Sequence, residues 1–351
     1  MKQQDLRYIT DVLSARTSKT EPDWYSVTGF LFSHRIAGLF YNRAKQLDIP
    51  LPKKAEKLFA ETFARQRRKV QFMRGYIAEI AKAMHAAQAE YVFLKGSVFS
   101  NLPKEKRIYA DGERASNDID ILVRQNAIAK AESVLRSLGY VQGEYIAEED
   151  EIRPFSRLEI VTRRMNRGET APFVKWTGEG EFPFVEADIN FSLGNTPGEG
   201  EELLSDIVGT GVETGGACPM RLPQAEMFFL HLIMHQYKES CLYFMAERGK
   251  ELDLYKLADI YFCLYSGGLD LSRLLCLVRR YAIEEKLGAV LWQVADIFDD
   301  KKIDTLAGKC GKAQPDVIDY VHKKRYEWMA PPHERICSLS ALQYLSEKGT
   351  L

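Results

Sequence analysis

The sequence predicts an α+β protein, with a mixed or antiparallel sheet in the middle of the chain and helical regions on either side. Three observations carry that prediction. Apolar residues recur at helical spacing up to about residue 90, the side-chain period then drops to two in several short runs, and helical spacing returns from Leu222. The expected division is a helical region over 1–89, a sheet-containing core over 90–200 and a helical domain over 201–351.

In the first region Trp24, Phe30, Leu31, Ile36, Leu39 and Phe40 keep helical spacing until Ile49-Pro50-Leu51-Pro52 breaks it. Lys53 to Gln88 has no proline and one glycine, and its stripe of Leu58, Phe59, Phe63, Val70, Phe72, Met73, Ile77 and Ile80 predicts one long helix. Its basic run, Arg65-Gln66-Arg67-Arg68-Lys69, reads as a solvated helix face. Tyr91 to Leu94 then forms a short buried-strand pattern that ends in Lys95-Gly96-Ser97. A brief helical piece stops at Pro103. The basic connection Lys104-Glu105-Lys106-Arg107 reads as a solvated loop, and leads through Gly112 and Arg114 to the strand Asp118 to Val123.

Ala127 to Leu138 carries Ile128, Ala131, Val134, Leu135 and Leu138 on one helical face, with Gly139 as its stop. Strand patterns follow at Tyr140 to Tyr145, Arg157 to Thr162, Phe173 to Trp176 and Phe182 to Phe191, which suggests hairpins and not repeated βαβ units. Gly194 to Pro219 reads as a linker around one short helix, Glu201 to Val208. Its glycine-rich piece, Gly209 to Gly216, follows no strand and precedes no Gly-Lys-Ser/Thr, so it reads as a loop. Helices are expected from Pro223 through Tyr237 and over Leu252 to Tyr265, Leu271 to Ile283 and Leu287 to Phe298. The tail from Ala330, opening with Pro331-Pro332, reads as loosely attached until Ser338 to Leu345.

Bulk properties exclude several classes of function. A chain of 351 residues, 46% hydrophobic and 28% charged, is that of a globular protein with real cores. Its 48 basic and 49 acidic residues leave a net charge of -1, so no basic track serves a long nucleic acid or an anionic membrane. The start, Met1-Lys2-Gln3-Gln4-Asp5, has no apolar core of a secretory signal, and the run Met227 to Met234 is too short to span a bilayer. Cys218, Cys241, Cys263, Cys276, Cys310 and Cys337 form no C-x-x-C pair, and several sit in apolar helical patterns as free thiols do. A cytoplasmic protein is expected.

The chemistry concentrates on two strands. In Asn117-Asp118-Ile119-Asp120-Ile121-Leu122-Val123 the period of two places Asp118 and Asp120 on one face and Ile119, Ile121 and Val123 on the other. Val185-Glu186-Ala187-Asp188-Ile189-Asn190-Phe191 repeats the pattern, with Glu186, Asp188 and Asn190 opposite an apolar face. If the strands are neighbours, Asp188 or Glu186 joins Asp118 and Asp120. Carboxylates converging on one sheet face repel unless a cation lies among them, and two-metal phosphoryl transfer needs such a set. His231 and His235 stand one helical turn apart, but Leu232-Ile233-Met234 between them lacks the glutamate of H-E-x-x-H, so they read as core or interface histidines.

Leu94-Lys95-Gly96-Ser97, then an arginine in Arg114-Ala115-Ser116-Asn117-Asp118, then Asp118-Ile119-Asp120-Ile121-Leu122-Val123, then the single acid Asp188 on a later strand, resembles the DNA polymerase β nucleotidyltransferase superfamily. More closely, it is similar to a group of stand-alone bacterial nucleotidyltransferase-like proteins, often encoded beside peptide and natural-product biosynthesis genes. Leu230-His231, His235 and Leu257-Ala258-Asp259-Ile260 resemble that group's C-terminal helices, so the likeness spans roughly residues 20 to 300. Two features differ. An interval of 20 residues separates Ser97 from Asp118, longer than in compact superfamily members, and Asn190 stands where a histidine is common.

The resemblance implies a polymerase-β-like core flanked by N- and C-terminal helical regions. It implies that Lys95, Gly96, Ser97 and Arg114 bind the nucleotide, with Gly96 and Ser97 at its β,γ-phosphates and Lys95 and Arg114 neutralising triphosphate or orienting carboxylates. Asp118 and Asp120 would hold two Mg²⁺ ions, with Mn²⁺ as a substitute, and Asp188 would hold the catalytic ion and help deprotonate the acceptor. The implied reaction moves a nucleoside monophosphate from an NTP such as ATP to a small-molecule or peptide acceptor and releases pyrophosphate. The alternative is a catalytically silent nucleotide- or peptide-binding module on the same scaffold.

Overall fold

A computed structural model describes all residues except 17, 19 and 216–218, and the backbone but not the side chains of 104 and 165–167. Gly216, Cys218 and the Lys104 side chain therefore lie outside the described residues. The chain forms two compact units, one of 66–111 and 115–228, the other of 1–65, 112–114 and 229–351.

The first of these is built on a six-stranded sheet. Its strands are β1 (Val92–Phe93), β2 (Asp118–Leu122), β3 (Val141–Ile146), β4 (Glu151–Pro154), β5 (Phe173–Trp176) and β6 (Phe184–Asn190), in the order β1-β2-β6-β5-β3-β4. β2 and β6 are parallel and every other neighbouring pair is antiparallel, so the sheet is mixed. The apolar faces read from the sequence are buried: Ile119, Ile121, Val123, Ala187 and Ile189 are at 0% exposure and Val185 at 1%. At about 1.5–3 kcal/mol for each fully buried Val or Ile, this face fixes which way the strands turn. The helix Ile128–Ser137 adds Ile128, Ala131, Val134 and Leu135 to the core, and Gly139 ends it at φ +87°.

The long helix Lys53–Ala86 is present, and its second half supports this sheet. Val70, Met73, Ile77 and Ile80 are buried, and Phe72 meets Phe182 at 5.2 Å between ring centroids. Glu79 bonds Lys175 at 3.0 and 3.1 Å. The basic run is less free than its composition suggests. Arg68 makes a two-pronged pair with Glu181 at 2.6 and 2.8 Å, and Lys69 Nζ donates to Asn117 Oδ1 at 3.0 Å.

The other unit is mainly helical. It contains Gln3–Leu13, Trp24–Ser33 and Ala37–Gln46 from the start of the chain, and Leu254–Tyr265, Leu271–Arg280, Glu284–Phe298 and Lys301–Lys309 from its later part. The two ends of the sequence meet within it. The Met1 amine donates to the Cys337 carbonyl at 2.7 Å, and Arg16 Nη2 to the Phe298 carbonyl at 2.7 Å. Cys241, Cys263 and Cys310 are buried free thiols.

Three expectations need correction. Arg157 to Thr162, read as a strand, lies in a helix, Arg157–Arg167. Ser156 accepts from the Glu159 amide while the Glu159 carboxylate accepts from the Ser156 amide, a capping box that starts a helix whatever the apolar spacing suggests. The end of the chain is not wholly helical or loose either. Val317–Asp319, Lys324–Trp328 and Leu345–Thr350 form an antiparallel sheet, and Val317, Trp328, Ala341 and Ala246 bury a small core beneath it. The buried guanidinium of Arg335 stacks over Trp328 at 4.0 Å. In the glycine-rich stretch, Val212–Glu213 pairs with Arg221–Leu222 as two short strands.

Candidate active site

Parallel pairing of β2 with β6 sets Asp118 beside Glu186 and Asp120 beside Asp188. Side chains at paired positions share a face, so two rows of carboxylates stand over the buried apolar layer. Ligand oxygens of Asp118, Asp120 and Asp188 all lie within 4.8 Å of one another, the one cluster of metal-ligating side chains found among the described residues. Asp120 is buried, and Asp118 and Asp188 are half-buried.

Burial and like charge act on these groups as electrostatics requires. Burial first, then Asp118, Glu186, Asp120 and Glu169, pushes the Asp188 carboxyl well above the ordinary aspartate range. Burial, then Asp118, Asp120 and Glu169, raises Glu186 to about 7, partly opposed by Lys69. Three closely spaced carboxylates, one of them reluctant to ionise unaided, form a donor set suited to a hard divalent cation.

Upstream, the antiparallel register of β1 on β2 continues one residue further, because the Leu94 amide donates to the Asp120 carbonyl at 3.0 Å. Lys95 comes next and adopts φ +45°, a left-handed conformation costing a non-glycine residue about 1–2 kcal/mol. Its Nζ donates to Asp120 Oδ1 at 2.9 Å. Gly96 and Ser97 are buried in the first turn of the following helix, Lys95–Asn101. The Ser97 amide is used internally, donating to the Leu94 carbonyl at 3.1 Å. Its Oγ is buried and makes no hydrogen bond.

Asn190, in place of the histidine common in the resembled group, has a definite position. Its Nδ2 donates to Asp120 Oδ1 at 3.3 Å, on the same oxygen that Lys95 approaches. An amide can orient a carboxylate here without taking up a proton.

Arg114 has a partner elsewhere in the sequence. With 112–114 it belongs to the helical unit, where Nε lies 2.9 and 3.0 Å from the two Asp259 oxygens and Nη2 lies 2.7 Å from Oδ2. Its guanidinium also faces the Tyr255 ring at 5.6 Å. Of the histidines, His231 is buried and His235 Nε2 lies 3.4 Å from Glu239.

Two residues at the acidic face escaped the sequence reading. Glu169 forms an isolated antiparallel bridge with Asn190, which brings a further carboxylate near Asp188 and Glu186. Lys69 reaches Asn117, the neighbour of Asp118, from the long helix. Only its position beside the buried stripe of Val70 and Met73 hinted that it points inward.

A family described as uncharacterised nucleotidyltransferase matches residues 20–299. The chain belongs to this nucleotidyltransferase family. No curated protein and no solved structure matches it. Membership in a nucleotidyltransferase family implies an NTP substrate, and within the matched residues Asp118, Asp120 and Asp188 form a candidate catalytic triad. No helix among the described residues of this nucleotidyltransferase is long and apolar enough to cross a membrane.

The raised carboxyls give a signed test of metal binding. A carboxyl with a raised folded-state pKa favours the fold below its unfolded value and loses that contribution as pH rises through the folded value. For Glu186 this window runs from the ordinary glutamate value of 4.5 to about 7. A cation must displace the same protons, so its affinity grows across the window. Millimolar Mg²⁺ or Mn²⁺ is expected to raise the melting temperature more at about pH 8 than at about pH 5.5. Scanning calorimetry at both pH values checks this; a larger shift at the acidic pH would contradict it.

Proposed function

We propose that this nucleotidyltransferase moves a nucleoside monophosphate from an NTP, ATP being the first candidate, to a hydroxyl or phosphate oxygen of a small-molecule or peptide acceptor. The catalytic core lies over 90–200. The observation that carries the reading is the convergence of Asp118, Asp120 and Asp188 oxygens within 4.8 Å on one sheet face, in a chain of this family. In the reaction the acceptor oxygen forms a bond to the α-phosphorus, the bond from that phosphorus to the bridging oxygen breaks, and pyrophosphate leaves.

Asp118, Asp120 and Asp188 would hold Mg²⁺, which supplies positive charge against the charge that develops on the phosphoryl oxygens. The protein's own groups do the rest. Asp188 lies where burial and its neighbours raise its affinity for a proton, which suits it to take the proton of the acceptor hydroxyl. The unsatisfied Ser97 Oγ offers a donor to a phosphate oxygen. Lys95 supplies a compact cation at the same end of the site. Asn190 holds Asp120 in orientation. The balanced charge of the chain, 48 basic against 49 acidic residues, favours a compact acceptor over a long RNA.

The test measures pyrophosphate release and transfer of an α-phosphate label from each NTP, with Mg²⁺, to pools of metabolites and peptides. Wild type is expected to label an acceptor, and Asp118→Asn and Asp120→Asn to label none. Unchanged NTP consumption in both variants would sink the mechanism. Calorimetry separates the silent-module alternative, in which NTP binds without dependence on Mg²⁺ and nothing is transferred.

A further inference from the structure

We propose that Lys95 is the resident counter-ion of the metal-free site: its ammonium holds the place at Asp120 that a divalent cation takes, and is released toward the NTP phosphates when that place is filled. This rests on the metal-dependent reading above and adds to it an order of events.

Three observations converge on one carboxylate. Asp120 belongs to the carboxylate cluster, and its Oδ1 accepts from Lys95 Nζ at 2.9 Å and from Asn190 Nδ2 at 3.3 Å. A cation that uses this oxygen competes with the ammonium for it. The backbone shows that the contact is built in. Lys95 sits at φ +45°, directly after the residue whose amide closes the β1–β2 pairing on Asp120. A flexible surface lysine would reach a carboxylate from ordinary backbone, without the cost of a left-handed residue.

The electrostatics give the arrangement a direction. Asp118, Asp120, Asp188, Glu186 and Glu169 gather on or beside one face, and Lys95 is the cation that meets the most buried of the three clustered aspartates. Before metal arrives, the ammonium offsets part of that negative charge. Once divalent charge is present, the ammonium is repelled by it, and a triphosphate is the anion it can meet next. Lys95 thus acts as a positioning residue with opposite effects on two ligands. It weakens binding of the bare metal and strengthens binding of the nucleotide.

The test is the Mn²⁺ affinity of the full chain without nucleotide, measured from the paramagnetic resonance of free Mn²⁺. Lys95→Met is expected to bind Mn²⁺ roughly tenfold more tightly than wild type, as removal of a nearby positive charge requires, while its affinity for Mg²⁺–ATP falls by a similar factor. Lys95→Arg, which keeps the charge, is expected to stay near wild type for Mn²⁺. A folded Lys95→Met with equal or weaker Mn²⁺ affinity overturns the proposal, because a merely structural lysine would loosen Asp120. Acylation of wild-type lysines read by mass spectrometry gives a second measure that needs no variant. Lys95 should react faster with Mg²⁺ present, and equal or slower reaction counts against it. Should wild type bind no Mn²⁺ at all, the metal reading falls first; should Asp120→Asn lose Mn²⁺ that wild type binds while Lys95→Met gains nothing, only this inference falls.

Discussion

Asp188→Asn is expected to give a protein that melts higher and transfers nothing. The Asp188 carboxyl is held well above the ordinary aspartate range, first by loss of solvation and then by the like charges of Asp118, Glu186, Asp120 and Glu169. Asparagine keeps the shape and removes the charge. The metal-free protein should gain about 1–2 kcal/mol near neutral pH, or roughly 1–3 °C for a chain of this size. The sign follows from the raised pKa: the aspartate's cost appears above its unfolded value, so the gain should vanish near pH 4 and grow as pH rises. Turnover should fall by on the order of 10³ or more, equivalent to about 4 kcal/mol of barrier, since a metal ligand and a proton acceptor are lost together. Calorimetry across pH and pyrophosphate release check the two halves separately. A variant that melts lower while retaining turnover would remove Asp188 from the proposed site.

Arg114→Met is expected to act mainly on stability. The Arg114 side chain is 10% exposed and its partner Asp259 3%, with three N–O contacts between 2.7 and 3.0 Å. Removing one member of such a pair leaves the other charge buried, at a cost of about 3–5 kcal/mol. That corresponds to a fall of roughly 4–7 °C in melting temperature for a chain of this size. Replacing both, as in Arg114→Met with Asp259→Leu, should recover most of the loss, because the stranded charge is gone. If Arg114 served the triphosphate instead, Arg114→Met would melt like wild type and raise the KM for NTP. Calorimetry on the two single variants and the double variant, with KM measured beside it, distinguishes the two roles.

How much was legible in the sequence follows from how local each signal is. Alternation in Asp118–Val123 and Val185–Phe191 set the face of each strand, because period two is a property of a few consecutive residues. Their parallel pairing, which puts Asp120 beside Asp188, is a long-range fact and required the structure. Glu169 and Lys69 reach the acidic face from separate elements, and no local spacing announces them. The arginine four residues before Asp118 was visible, but its carboxylate lies 145 residues further along. The helix at Arg157–Arg167 is different, since its start is set by two nearby residues, Ser156 and Glu159, while Leu158 and Ile160 flank Glu159 with the spacing of a strand. In the C-terminal sheet, Tyr326 and Trp328 did alternate with charged residues, over a run too short to outweigh the helices before it.

The long helix Lys53–Ala86 bears on how this protein can be dissected. A fragment begun at residue 90 would contain every strand of the six-stranded sheet and still lack its supports. Glu79 would be missing from Lys175, Phe72 from Phe182, Arg68 from Glu181 and Lys69 from Asn117. The shortest piece that keeps those partners starts in the middle of a helix, where the chain offers no loop to cut.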